Sequence, residues 1–204
     1  MARPPRIEVP NGIYHVSSRG NRGCEIYADD LDRRVFLALV GRVVRRNRWT
    51  CHAYCLMSNH YHLLIQIEQG GLSDGMQALN GHFACFSNAR HGYEGHLFRN
   101  RFWSALIEAE SHLLEACRYI VLNPVRAGLR TTPAAWRWSS YRACAGLEFA
   151  PDFLASSQLL RFFGSSPQSA RRAYCKFVRE GQGRPASVSD TVTNHAPVGR
   201  GASA

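Results

Sequence analysis

The chain has 204 residues, 45% of them hydrophobic and 20% charged, which suits one well-cored domain with an appendage and argues against a disordered chain. Lys and Arg number 25 against 15 Asp and Glu, a formal net charge of +10, so the expected partner is a polyanion, nucleic acid first. The 7 cysteines are scattered with no C-x-x-C pair, no apolar run approaches a membrane span, and Met1 to Pro10 lacks a signal-like apolar segment. A disulfide framework and a membrane protein are therefore not expected, and the expected location is the cytoplasm, on the nucleoid.

In chain order, Gly12 to Ser18 carries Tyr and Val between glycines and reads as a strand, followed by a turn at Gly20-Asn21-Arg22-Gly23. From Asp30, apolar residues at Leu31, Val35, Phe36, Leu39, Val40, Val43 and Val44 recur at helical spacing. Arg42, Arg45 and Arg46 suit the end of that helix electrostatically. Trp49 to Leu56 and His60 to Glu68 read as two strands joined by a tight turn near Ser58-Asn59, an antiparallel hairpin. Ser73 is the expected cap of a second helix, with Asp74 in its first turn and Met76, Leu79, Phe83 and Phe86 as its buried stripe. After a loop at His91 to Gly95, Phe102 to Ala109 reads as a further strand. Ser111 is the expected cap of a third helix that runs to Leu122, with Pro124 leaving Asn123 at a frayed end.

The order strand, helix, strand, strand, helix, strand, helix implies an α+β domain, an antiparallel sheet with helices packed on it. That domain is expected over 1–145. Residues 146–180 read as a small helical appendage, Phe153 to Phe163 and Ser169 to Arg179, the second helix carrying Arg171, Arg172, Lys176 and Arg179 as possible DNA contacts. Residues 181–204 have no aromatic side chain and too little apolar surface to offset ordering entropy, so a disordered tail is expected.

Two stretches carry chemistry. In Asn59-His60-Tyr61-His62-Leu63-Leu64, the imidazoles of His60 and His62 are two apart on a strand and so share a face. Tyr61, Leu63, Ile65 and Ile67 form the opposite, apolar face, which places the histidines away from the main core. In Arg118-Tyr119 followed by Asn123-Pro124-Val125-Arg126-Ala127-Gly128, a phenol and an amide oxygen are one helical turn apart. Tyr119 lies far around the helix from the stripe of Leu113, Leu114, Cys117, Ile120 and Val121, so it is more than a core aromatic. Two imidazoles with Asn123 as a third, neutral ligand suit Mg²⁺ or Mn²⁺, the imidazoles favouring Mn²⁺. A zinc site of Cys51, Cys55, His60 and His62 is the alternative, although Cys51 and Cys55, four apart on a strand, stand about 13 Å from each other.

Together NHYHLL and RYIVLNPVRAGL resemble the single-tyrosine HUH transposase superfamily, specifically the REP-associated tyrosine transposases of bacteria. YHVSSRGNR, HAYCLMSNHYHLL, LNGHFACFSNARHG, GHLFRNRF and WRWSSYRA support the likeness, which spans roughly residues 3 to 145. The resemblance implies a ferredoxin-like fold, dependence on Mg²⁺ or Mn²⁺, and cleavage of single-stranded DNA beside a hairpin to leave a 5′-phosphotyrosine and a free 3′-hydroxyl. His60 and His62 match the metal-binding pair and Tyr119 the nucleophile. Insertion-sequence relatives carry Gln where Asn123 stands, and the REP-associated group usually carries Asn.

Arg19, Arg22, Arg99, Arg101 and Arg126 are the DNA-contact candidates, because guanidinium binds phosphate through paired hydrogen bonds. Trp136, Trp138 and Tyr141 could stack bases, or belong to the core. The expected function is a metal-dependent endonuclease and strand transferase on single-stranded hairpin DNA of palindromic repeats, acting as a monomer or weak homodimer. The alternative is a protein derived from a transposase that binds hairpin DNA or RNA without cutting it.

Overall fold

The computed structural model of the chain describes residues 8–107 and 110–183, so the end of the last expected strand, the side chain of the expected cap Ser111 and nearly all of the expected tail lie outside what it describes. The elements are β1 Ile13–Arg19, α1 Asp30–Asn47, β2 Thr50–Leu56, β3 His60–Gln66, α2 Leu72–His91, β4 Trp103–Ile107 and α3 Glu110–Arg126. Three short helices follow, α4 Tyr141–Cys144, α5 Ser156–Arg161 and α6 Pro167–Glu180. The strands form one antiparallel sheet in the order β2-β3-β1-β4, the ferredoxin-like arrangement that the resemblance implies.

The first face of the sheet carries Val16, Tyr61, Leu63 and Ile65, all buried, and α1 and α2 cover it. Phe36 of α1 meets the ring of Tyr61 at 4.7 Å and that of Phe83 of α2 at 5.0 Å. Gly75 is where α2 crosses Trp49: a Cβ there would lie 2.3 Å from the indole. The two helices are tied at one end by polar groups. Asp29 caps α1 by accepting from the amides of Leu31 (2.9 Å) and Asp32 (3.1 Å), and Arg90 at the end of α2 pairs with both Asp29 and Asp32.

Two expected helix ends differ. The cap of α2 is not Ser73; the Glu8 carboxylate accepts from the amides of Leu72 (3.0 Å) and Ser73 (2.8 Å), a charge at the positive end of the helix that comes from a residue 64 positions earlier. Helix α3 does not fray at Asn123 but continues through Pro124 to Arg126. Proline removes the amide that would serve the Ile120 carbonyl. Asn123 makes up the deficit by donating Nδ2 to the carbonyl oxygens of Tyr119 (2.9 Å) and Ile120 (3.4 Å).

The second face is also covered, contrary to the expectation that the histidines look away from the core. Helix α3 lies across β2, β3 and β4, Leu64 is fully buried, and His15 and His62 keep only 6% and 8% of their surface. Trp136, Trp138 and Tyr141 are buried at its rim, with Trp136 Nε1 donating to the Leu56 carbonyl at 3.0 Å, so these aromatics are packing and not base-stacking platforms. The C-terminal helices close the back of α3. Tyr174 and Val178 of α6 are buried, and Arg118 lays its guanidinium 4.4 Å from the ring centroid of Phe177. Arg171, Arg172, Lys176 and Arg179 remain exposed on the outer side of α6.

Asp32 is the test of the α1–α2 tie, since its side chain has no exposed surface. Burial opposes its ionisation, yet the Ala28 amide, Arg90 and His91 outweigh that and hold its pKa below the usual carboxylate value. Asp32→Ala is expected to lower unfolding free energy by about 2–3 kcal/mol at neutral pH, read by urea denaturation. Because the folded pKa is depressed, the contribution is fully present above the unfolded value near 4 and is lost as pH falls through the lower folded value, so the two proteins should converge in acid.

Candidate active site

The register of the sheet sets the site. On the second face Ser17 stands opposite His62 and Arg19 opposite His60, with His15 one diagonal step from His62 and Trp103 of β4 opposite Ser17. The imidazoles of His60 and His62 are 4.9 Å apart between ring centroids. Each has one nitrogen fixed by a neighbour. His60 Nδ1 meets the Asn59 amide oxygen at 2.7 Å, and Asn59 is held in turn by donating Nδ2 to the Gly23 carbonyl at 2.9 Å. An amide oxygen only accepts, so His60 carries its proton on Nδ1 and keeps the Nε2 lone pair. His62 Nδ1 meets His15 Nε2 at 2.9 Å.

His62 Nε2 is buried and has no hydrogen-bond partner among the described residues. A buried polar nitrogen left unpaired costs about 1–3 kcal/mol, which a ligand at that atom would recover. Burial pushes the pKa of His15 and of His60 down to about 4, the latter helped by Arg19. Burial, then the neighbouring His15 and His60, holds His62 well below the ordinary histidine value. All three imidazoles are neutral at neutral pH, the state that ligates metal.

Helix α3 brings Tyr119 over this group. Its ring stands edge-on to His15 at 5.8 Å and to His62 at 6.0 Å between centroids, and it is half-buried. The guanidinium of Arg126 sits 4.9 Å from the centre of the Tyr119 ring, so this arginine, expected at DNA, rests against the tyrosine. Asn123 spends its Nδ2 on the helix, which leaves Oδ1 as the atom with which it could join a metal.

The residues present fit a divalent ion on the strength of that unpartnered His62 nitrogen and the oriented Nε2 of His60. Among the described residues no group of three His, Cys, Asp or Glu could hold a metal, so a bound ion would complete its coordination with oxygen atoms such as Asn123 Oδ1, water or a phosphate oxygen. The zinc alternative is excluded on packing: Cys51 and Cys55 are buried thiols of the core, and burial pushes Cys51 up to about 12.

Of the other expected DNA contacts, Arg19 is exposed at the end of β1, and the Arg99 amide donates to its carbonyl at 2.9 Å, so these two lie together beside His60. Arg22 is exposed in the turn that Asn59 braces, in a left-handed conformation with φ 54°, and Arg101 is exposed just before β4. Sequence reasoning missed His15 and Asn59 as parts of the site. The signal for His15 was its place two residues before Ser17 on a strand that already carried Arg19, which puts all three on one face.

The profile of the family described as IS200-like transposase matches residues 8–123. Among solved structures the chain is similar to a REP-associated tyrosine transposase bound to a REP hairpin, at 18% identity and a TM-score of 0.61, covering 76% of this chain and 92% of that one. A putative transposase from Deinococcus radiodurans R1 is similar at 16% identity and a TM-score of 0.42, covering 54% of this chain and 90% of that one. No curated protein matches the chain.

The His15 contact predicts a graded effect on metal. His15→Phe removes the group that orients His62 and is expected to weaken Mn²⁺ binding by about 10-fold or more, whereas His15→Gln, which keeps an acceptor, recovers part of it. Titration followed by electron paramagnetic resonance measures both, with the melting temperature as the control for folding. Equal Mn²⁺ affinity in His15→Phe and the parent would remove His15 from the site.

Proposed function

Because the chain belongs to the IS200-like transposase family, whose profile it matches over residues 8–123, we propose that it cuts and rejoins single-stranded DNA at a hairpin through Tyr119, with a divalent ion held by His60 and His62. The observation that carries this reading is the convergence of a half-buried phenol on two imidazoles whose ligating nitrogens are oriented and, at His62, unpartnered. The neighbour of like fold that is bound to a REP hairpin supports hairpin DNA as the substrate.

In the proposed step the Tyr119 oxygen attacks phosphorus in line with the departing 3′-oxygen. The phenol gives up its proton, the new tyrosyl O–P bond replaces the P–O3′ bond, and the 3′-oxygen is protonated to a hydroxyl. The ester formed keeps the energy of the bond broken, so a second 3′-hydroxyl can reverse the step and join another strand. When bound, Mg²⁺ or Mn²⁺ would draw charge from the phosphate and lower its repulsion of the nucleophile. Asn59 holds the His60 imidazole in one tautomer, His15 orients the His62 ring through their shared hydrogen bond, and Arg126 places positive charge on the face of the phenol ring. Arg19, Arg22, Arg99 and Arg101 supply the phosphate contacts that bring the strand to Tyr119.

The test uses labelled hairpin oligonucleotides from palindromes neighbouring the gene, with Mn²⁺, resolved on denaturing gels. A covalent protein–DNA adduct is expected from the parent and none from Tyr119→Phe; adduct formation undiminished in Tyr119→Phe would sink the assignment. His62→Ala is expected to abolish the adduct while keeping most hairpin affinity, since arginine contacts to phosphate dominate binding. Asn123→Ala should be milder than either histidine change, because water replaces a neutral oxygen ligand more readily than an imidazole. Hairpin binding with no adduct under any metal would mark the protein as a binder that does not cut.

A further inference from the structure

The end of the sheet away from the histidine pair holds a cleft of about 900 Å³, walled by Ile107 of β4, Leu113 of α3 and Phe162, which follows α5. Gln66 lines it at one end of β3, and His60 stands at the other end, about 20 Å along the strand. None of the residues assigned to the active site or to DNA borders it. Its size lies in the range of small-molecule sites. Val9, Leu106 and Phe162 are among the few large apolar side chains that the described residues leave exposed, and all three border this cleft.

The polar groups of the lining are specific. The Gln66 side chain donates Nε2 to the Asn11 carbonyl at 3.3 Å, which leaves Oε1 facing His52 Nε2 at 3.1 Å. An amide oxygen only accepts, so the His52 proton sits on Nε2 and Nδ1 is a bare lone pair. His52 keeps only 5% of its surface, and its Nδ1 is buried with no hydrogen-bond partner. Burial, opposed by the Gln66 hydrogen bond, lowers its pKa below the ordinary histidine value, so the ring is neutral at neutral pH and the lone pair persists. A donor brought to Nδ1 would satisfy the one atom of this chain of hydrogen bonds that the fold leaves unmet.

Charge gives the second requirement. Arg161 is the one charged side chain among the described residues of the lining; it is exposed and pairs with no carboxylate among the described residues. A single guanidinium beside apolar walls suits one acidic group joined to a hydrocarbon or aromatic body, and not a chain of phosphates.

We propose that this cleft binds a small amphipathic anion, its acidic group on Arg161, its apolar body against Leu106, Ile107 and Phe162, and an N–H or O–H donor directed to His52 Nδ1. The site stands apart from the hairpin-DNA reading, and its test uses no nucleic acid.

The experiment is a fluorescence titration of the full chain with two probes: 2-anilinonaphthalene-6-sulfonate, which carries an acidic group, fused rings and a free N–H, and its N-methyl counterpart, which lacks the donor. The parent is expected to bind the N–H probe saturably and about 10-fold more tightly than the N-methyl probe. His52→Phe should weaken the N–H probe until the two bind alike. Arg161→Glu should weaken both about 10-fold, whereas Arg46→Glu, the same charge change at an exposed residue of α1, should leave both unchanged. Melting temperatures equal to the parent's establish folding; if His52→Phe does not fold, the probe pair on the parent and the two arginine variants still decide. The proposal is overturned if neither probe binds the parent, if the parent does not distinguish them, if a folded His52→Phe still does, or if Arg46→Glu weakens binding as much as Arg161→Glu, which would mark general attraction to a basic protein.

Discussion

The pairing of β1 with β3 governs the rest of the site. Ser17 opposite His62 and Arg19 opposite His60 put two imidazoles and a guanidinium at one end of the central strands, and the same register brings His15 within hydrogen-bond reach of His62. A slip by one residue would turn every one of these side chains to the opposite face, into the layer held by Phe36 and Phe83. The buried alternation Val16, Leu63 and Ile65 under α1 and α2 makes that slip costly, since it would bring polar residues such as His15, His62 or Gln66 into that apolar layer. The packing of the first face is thus what fixes the chemistry of the second.

Covering the second face changes the electrostatics of the site. Imidazoles on an open sheet would titrate near their ordinary value, but here burial holds them neutral and ready to ligate. The positive charge of the protein lies elsewhere, on exposed arginines at the rim such as Arg19, Arg22, Arg99 and Arg101. On the proposed reading, this divides the work on a phosphodiester. Attraction, which is long-ranged and screened by salt, comes from the rim, while the interior offers lone pairs and a phenol without a fixed charge of its own.

Much of this was legible in the sequence because it depends on short-range periodicity. The two-residue spacing of His60 and His62, the four-residue spacing of Tyr119 and Asn123 and the order of elements each follow from local geometry, and the ferredoxin-like sheet order agrees with them. What was not legible depends on distant partners. Glu8 caps a helix 64 residues away, and His15 becomes part of the site only through pairing 47 residues away. The second covered face was missed for a related reason: the apolar stripe of α3 was visible, but not that its partner would be the side of the sheet carrying His62 and Leu64. Pro124 misled in a different way. The rule that helices end before proline holds when the freed carbonyl has no other donor, and the Asn123 side chain is such a donor.

Helix α3 consequently behaves as a fixed arm for the phenol. Its apolar stripe is buried on the sheet, Arg118 anchors its back through Phe177 of α6, and Asn123 keeps its last turn helical past the proline. These three restraints act on different sides and at different heights of the helix. None touches the Tyr119 ring, yet together they leave its backbone little freedom to shift relative to His62. In-line attack is sensitive to displacements of about 1 Å, so in the proposed reaction the entropy of placing the phenol would have been met in folding. The asparagine's amide nitrogen keeps that arm helical past the proline, which leaves its Oδ1 without a role in the helix.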